Sequence, residues 1–316
     1  MLANFILSLN TVMPLFILIA IGYILQRMHK LDEKFVKQSN YIVFKLSLPV
    51  TLFNTIYNIN TQELFNPWLI SYAVISMIVV ATSLFIFVPK FIHEPKTAAS
   101  FAQSSFRGNF VLLGSVLAIQ LFGPEGSLPT ISLIPIVIPV IMILSIIVLR
   151  VLSQNPELEP INIKQIIFEI ISNPIILGIF IAIIFKTINI KIPLMLSISM
   201  DYLGSLSTPL ALIALGVQLQ FTHIAKFKLV AICSMIKLIA IPLIVLIPAY
   251  YLGFRNYEMG ALFILFSAPA GISNYALAYN MKCDYEFTGQ MVIISTMLSL
   301  FTMIIAIMIF KNLEIF

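Results

Sequence analysis

Arg107, Gly108 and Asn109 stand together inside an otherwise apolar stretch, SSFRGNFVLLG. Pro269, Ala270, Gly271, Ser273 and Asn274 stand together in another, SAPAGISNYALA. These residue types suit recognition of an anion. Arginine brings a permanent positive charge and a fork of donors. Asn109 and Asn274 both donate and accept, so either can take a carboxylate or bridge two crossing helices. Pro269 removes a backbone donor and clashes with the preceding turn, so carbonyls near Phe266 and Ser267 lose helical partners. A half-helix restarting after the break offers free N–H groups and a positive dipole end, which suit a carboxylate. At membrane depth such bare backbone is tolerated only where it lines a cavity or meets another helix. The plain alternative for each break is a packing kink, because Gly and Pro are common in membrane helices.

Arg107 lies about ten residues into its apolar stretch, or ~15 Å along a helix, close to a bilayer midplane. A charge there costs about 2.5–3.5 kcal/mol on insertion scales and must face protein or water. It either supplies positive potential for an anionic substrate or forms a structural ion pair, with Glu169 or Asp201 as partners. Asp201 is a candidate proton or sodium site. Lys45, Lys237 and Glu169 read as snorkelling or paired groups.

The elements that must position these residues are membrane helices. The chain of 316 residues is 60% hydrophobic and 10% charged, with mean hydropathy +1.05. Soluble domains carry about 25% charged residues, and so few could not cover a soluble surface of this size. Ten apolar stretches each approach the roughly 20 residues that cross a bilayer core as helix. They span about 4–26, 37–57, 68–91, 98–121, 128–152, 164–187, 192–220, 227–253, 257–280 and 287–311. Polar and Pro/Gly residues interrupt the second and seventh. The runs are continuous and do not alternate, which argues against strands. Residues 154–163 form the longest polar connector, dividing 1–153 from 164–316. The first span has no basic residue ahead of it and is too long for a signal core, so it is expected to stay as a helix. Cys233 and Cys283 show no pairing pattern.

Basic residues crowd the loops after spans 1, 3, 5, 7 and 9. The positive-inside rule therefore puts these loops in the cytoplasm and both termini outside. The net charge of +5 then reads as a topology signal. Bases scattered over five loops make no nucleic-acid patch. The two halves also echo one another. Pro14 in TVMPLFILIAIGYI matches Pro174 in ISNPIILGIFIAII, and Pro49 in SLPVTLFN matches Pro209 in STPLALIA, both at a shift of 160 residues. The same shift carries Asn109 onto Pro269. Five spans per half is an odd number, so the halves must lie in opposite orientation. Inverted repeats with broken helices at matching places are the trace of a secondary transporter.

Other classes fit less well. The chain holds three Asp (Asp32, Asp201, Asp284), far apart in sequence. All three His (His29, His93, His223) fall in connectors, so there is no intramembrane H-E-x-x-H metal chemistry. No metal or cofactor site is expected. No G-x-x-x-x-G-K-[ST] run is present, so energy must come from gradients.

SLPVTLF, RGNFVLLG, STPLALIALGVQL, the Lys237–Pro242 stretch and SAPAGISNYALA together resemble the auxin efflux carrier family over the whole chain. That family includes bacterial malonate and malate permeases and the plant PIN proteins. The resemblance implies an all-α membrane protein of ten helices in two inverted five-helix repeats, with broken crossover helices 4 and 9. Helices 1, 2, 6 and 7 would form a scaffold, and 3–5 and 8–10 a transport domain. A homodimer in a bacterial cell membrane would be typical. The family's crossover positions map onto Asn109, Pro269 and Asn274. Many members have a proline shortly after the span 4 asparagine, whereas here Ser115 and Val116 follow Gly114. The break in span 4 therefore rests on Gly108 and Asn109. The long cytoplasmic loop of many plant members is absent, and phosphorylation-type control with it.

The expected function is secondary transport of a small organic anion, a mono- or dicarboxylate, by elevator-type alternating access. Arg107, Gly108, Asn109, Pro269, Ala270, Ser273 and Asn274 are the expected substrate-binding residues, and Asp201 the expected coupling site. An uncoupled uniporter of the same fold is the alternative; an intramembrane enzyme is disfavoured, because the sequence offers no catalytic cluster.

Overall fold

The computed structural model describes residues 2–58, 66–154, 164, 168, 171–172, 174–218 and 226–315. Among them there is no β-strand, only one isolated antiparallel bridge between Gly108 and Ala270. Glu169, His223 and residues 155–163 of the expected connector lie outside the described residues. The helices are α1 (Leu2–Arg27), α2 (Glu33–Ile42), α3 (Leu48–Asn58), α4 (Pro67–Phe91), α5 (Pro95–Phe106), α6 (Ser115–Gly126) and α7 (Leu128–Ser153). They continue with α8 (Pro174–Thr187), α9 (Leu194–Ser205), α10 (Ser207–Gln218), α11 (Phe227–Met235), α12 (Ile241–Tyr251), α13 (Asn256–Ser267), α14 (Ile272–Asn280) and α15 (Tyr285–Asn312). Pro67–Phe91, Leu128–Ser153, Leu194–Gln218, Phe227–Tyr251 and Tyr285–Asn312 are long and apolar enough to cross a membrane. Val12–Arg27 and Pro174–Thr187 are shorter apolar helices.

Local chemistry explains the starts and irregularities. Asn66 caps α4, its side chain accepting from the Trp68 and Leu69 amides, and Pro67 fills the first helical position, where no donor is needed. Asp284 caps α15 by accepting from the Phe287 amide at 3.0 Å. π-helical turns at Val43–Ser47 and Ile236–Ala240 each end two residues before a proline, Pro49 and Pro242. Widening the helix there accommodates a ring that would clash with the carbonyl one turn back. Spans 2 and 8 thus continue through their prolines. Span 7 is divided at Leu206, between α9 and α10.

The helices fall into two compact units. One contains the described residues of 13–64 and 162–220. Here α1 meets α10 backbone to backbone. A Cβ on Gly22 would strike the Ile213 carbonyl, and one on Gly216 the Ile19 carbonyl. Helix α3 packs on α8, where a Cβ on Gly178 would lie 2.7 Å from the Pro49 oxygen. Small residues let membrane helices approach this closely.

The other unit contains the described residues of 1–12, 65–161 and 221–316. Its centre is built from α5 and α13, buried without interruption over Thr97–Phe106 and Met259–Ser267. Helices α4, α7, α11, α12 and α15 surround them and turn apolar side chains outward. Ile75, Val79 and Ile86 on α4 and Ile244 and Ile247 on α12 are all at least half exposed. Contiguous outward faces of this kind are stable against lipid, not water. At one end Lys226 joins Glu94 at 2.9 Å, Asp284 at 2.7 Å and Thr97 at 2.7 Å. Residues flanking the starts of α5, α11 and α15 thereby meet at one point.

Candidate functional site

Helix α5 stops at Phe106, and Arg107 turns extended at φ −83, ψ 107. A π-helical turn over Phe110–Gly114 then leads into α6. Helix α13 likewise stops at Ser267, Ala268 turns extended at φ −58, ψ 133, and α14 restarts at Ile272. The extended segments cross as a short antiparallel pair. The Asn109 amide donates to the Pro269 carbonyl at 2.7 Å, and Gly108 bridges to Ala270. The Ala270 amide donates to Ser295 Oγ on α15 at 3.0 Å.

The span 4 break therefore rests on Gly108 and Asn109 and needs no following proline. Gly108 is required by close approach. A Cβ there would fall 2.8 Å from the Ala268 oxygen and 3.1 Å from Lys237 Nζ. Because α5 ends at Phe106, Arg107 is not the mid-helix residue its position in the stretch implies. It caps a half-helix.

Two side chains hold the crossing. Asn274 is fully buried and donates through Nδ2 to the Arg107 carbonyl at 2.8 Å. Of the two roles open to it from sequence, it performs the bridging one, and its Oδ1 is left buried without a partner. Lys237 donates from Nζ to the Phe106 carbonyl at 3.0 Å and the Phe266 carbonyl at 3.3 Å. These carbonyls belong to the last turns of the two broken half-helices, the negative ends of their dipoles. Sequence reasoning took Lys237 for a snorkelling or paired group. Its exposure of 0% rules out snorkelling. The ammonium turns inward because two orphaned carbonyls need a donor. The sequence signal was a lysine within an apolar span, in the turn before Pro242.

Arg107 Nη1 is also buried without a hydrogen-bond partner. Among the described residues neither Arg107 nor Lys237 meets a carboxylate within ion-pair distance. The proposed Arg107–Glu169 pair lies outside the described residues. Further unpartnered buried atoms, Ser100 Oγ, both polar atoms of the Gln103 amide, Ser104 Oγ and Ser267 Oγ, belong to the same two half-helices. Ser100, Gln103 and Ser104 follow helical spacing on α5 and lead to Arg107 at its C-cap, a polar stripe legible in the sequence but missed there.

The remaining candidates separate. Pro269 and Ala270 form part of the extended crossing. Asn109 precedes the π turn without a side-chain capping bond, and Ser273 is exposed on the first turn of α14. Gly271 precedes α14 and supplies no side-chain cap. Asp201 belongs to the other unit, on α9, where it is exposed and accepts from Asn54 Nδ2 at 2.8 Å. Lys45 is exposed on its π turn.

The arrangement brings two helix C-termini, two restarting helices, the buried Lys237 and the half-buried Arg107 to one crossing, with donors left over. A family model described as membrane transport protein matches residues 7–307. No curated protein matches the chain. The match spans nearly the whole chain, and the long apolar helices agree with it. The chain therefore belongs to the membrane transport protein family, that of the auxin efflux carriers, and is an integral membrane protein.

Proposed function

We propose that this transporter carries a small organic anion, a mono- or dicarboxylate, and binds it at the crossing of residues 106–109 with 268–271. The observation that carries this reading is Arg107, a cation with a buried free donor and no carboxylate beside it among the described residues. A charge left bare in this way is costly, and an anionic ligand removes the cost. Asn274 fixes the backbone at Arg107, Asn109 and Ser273 orient the ligand, and the uncapped start of α14 adds positive dipole. Gly108, Pro269 and Ala270 shape the backbone around it.

The mechanism is elevator-type alternating access. Helices of the unit that contains the crossing act as the transport domain, and those of the other unit as the scaffold. The division of the chain into two compact units supports this reading, as does the proline correspondence between the halves. In the same reading ten helices form two inverted repeats, the protein is a homodimer of a bacterial cell membrane, and both termini face outward. Asp201, hydrogen-bonded to Asn54, is the candidate coupling residue for protons or sodium.

Uptake of labelled mono- and dicarboxylates into proteoliposomes, with and without imposed proton and sodium gradients, tests the function. Accumulation of at least one carboxylate supports it, and absence of any uptake over protein-free vesicles rejects it. Uptake indifferent to both gradients assigns the uncoupled uniporter.

A further inference from the structure

Lys237 is the buried cation that anion binding does not use. Its ammonium lies on carbonyls in the last turns of two half-helices, 3.0 Å from Phe106 O and 3.3 Å from Phe266 O. In carriers with broken helices, freed carbonyls and C-terminal half-helix ends are the groups that coordinate a coupling cation. Sodium and potassium are hard cations that take oxygen ligands of this kind. Here the position is filled from within the chain. Lys237 is sealed from solvent, and Gly108 brings the main chain so close that even a methyl group there would come within 3.1 Å of Nζ. No carboxylate accompanies the ammonium among the described residues, so its charge is set against the two helix ends.

We propose that Lys237 is a covalently held substitute for a coupling metal cation, and that the crossing consequently takes up no sodium or potassium. It is a positioning residue, since it touches backbone and not substrate. The consequence for transport rests on the carrier reading; the consequence for cation binding does not.

The test heats purified wild type, Asp201→Asn and Lys237→Ala at constant ionic strength, with choline replaced by sodium, potassium or methylammonium. With Lys237 in place, the crossing should take up no cation, so Asp201→Asn, which lacks the other candidate cation site, should unfold at one midpoint in all four salts. Lys237→Ala, with the carbonyl pair vacated, should gain a saturable rise with methylammonium or sodium. The rise should be about 2 °C at ten times the dissociation constant. A saturable sodium response in wild type that persists when Asp201 is replaced by Asn overturns the proposal, and so does an alanine variant that answers no cation. Should Lys237→Ala not survive purification, Lys237→Glu is heated in the same salts. A carboxylate beside two carbonyls should make its fold depend on sodium, and indifference to sodium overturns the proposal equally. A cation response in Lys237→Ala together with no carboxylate uptake by wild type would fail the carrier reading alone.

Discussion

The main-chain amide of Asn109 donates to the carbonyl of Pro269 at 2.7 Å, tying together residues 160 positions apart in the chain. The residue pair that a repeat shift of 160 superposes is thus also a pair in direct contact. Two half-helices that each lack backbone partners at the break supply them to one another. That reciprocity explains how polar main chain is tolerated in a protein this apolar.

Gly108→Ala tests the closeness of the crossing. The added methyl would lie 2.8 Å from the Ala268 oxygen, a backbone atom that cannot rotate aside. The expected cost is about 1–3 kcal/mol of stability, with loss of uptake. Thermal unfolding of purified protein measures the first and vesicle uptake the second. A fully stable and active variant would mean the two segments have room to spare.

Asn274→Asp keeps size and replaces a donor with a charge. It removes the 2.8 Å bond to the Arg107 carbonyl and points a carboxylate at a site proposed for anions. Uptake should fall about 10-fold or more, because both the bond and the sign of the potential are lost. Asn274→Ala should lose less, and equal effects would deny the charge any part.

The Lys226 cluster sets a pH response. Burial alone would raise the Asp284 carboxyl, but bonds from Lys226, Thr97 and the Phe287 amide outweigh it and hold the group below its ordinary 3.8. Bonds from Lys226 and Thr97 lower Glu94 from 4.5. Burial opposes the Lys226 charge, yet its bonds to Asp284 and Glu94 raise it above 10.5. The carboxylates contribute stability above their ordinary values and lose it as pH falls through the lowered ones. Lys226 contributes fully below 10.5 and loses this as pH rises through its raised value. The cluster should therefore stabilise evenly from about pH 5 to 10. Lys226→Met should cost about 0.5–1.5 kcal/mol in that window, kept small because the Lys226 side chain is 35% open to solvent and Glu94 59%. Unfolding midpoints across pH check this, and a difference that persists at both extremes would contradict it.

The helices were legible because membrane helices announce themselves by length and apolarity, whatever they pack against. The breaks at Gly108–Asn109 and Pro269–Gly271 were legible as backbone chemistry. Partnerships were not. Asn274 has four hydrogen-bonding options, and only the fold shows that one is spent on the Arg107 carbonyl. Lys237 read as snorkelling or paired, because a lysine's flexible stem reaches either the membrane surface or a buried acceptor from the same sequence position. The two orphaned carbonyls that decide between them, Phe106 and Phe266, come from distant segments. Ser295, which receives the Ala270 amide, carried no signal in an apolar helix where serines are common.

The claim on which the account turns is that the bare guanidinium of Arg107 holds the transported anion. Proteoliposome uptake of a labelled carboxylate by Arg107→Gln, beside wild type and Arg107→Lys in equal folded amount, tests it most directly. Arg107→Gln should lose at least about 10-fold in uptake and Arg107→Lys should retain part, because charge and fork both matter. Uptake by Arg107→Gln equal to wild type would place the anion elsewhere and leave Arg107 a structural residue.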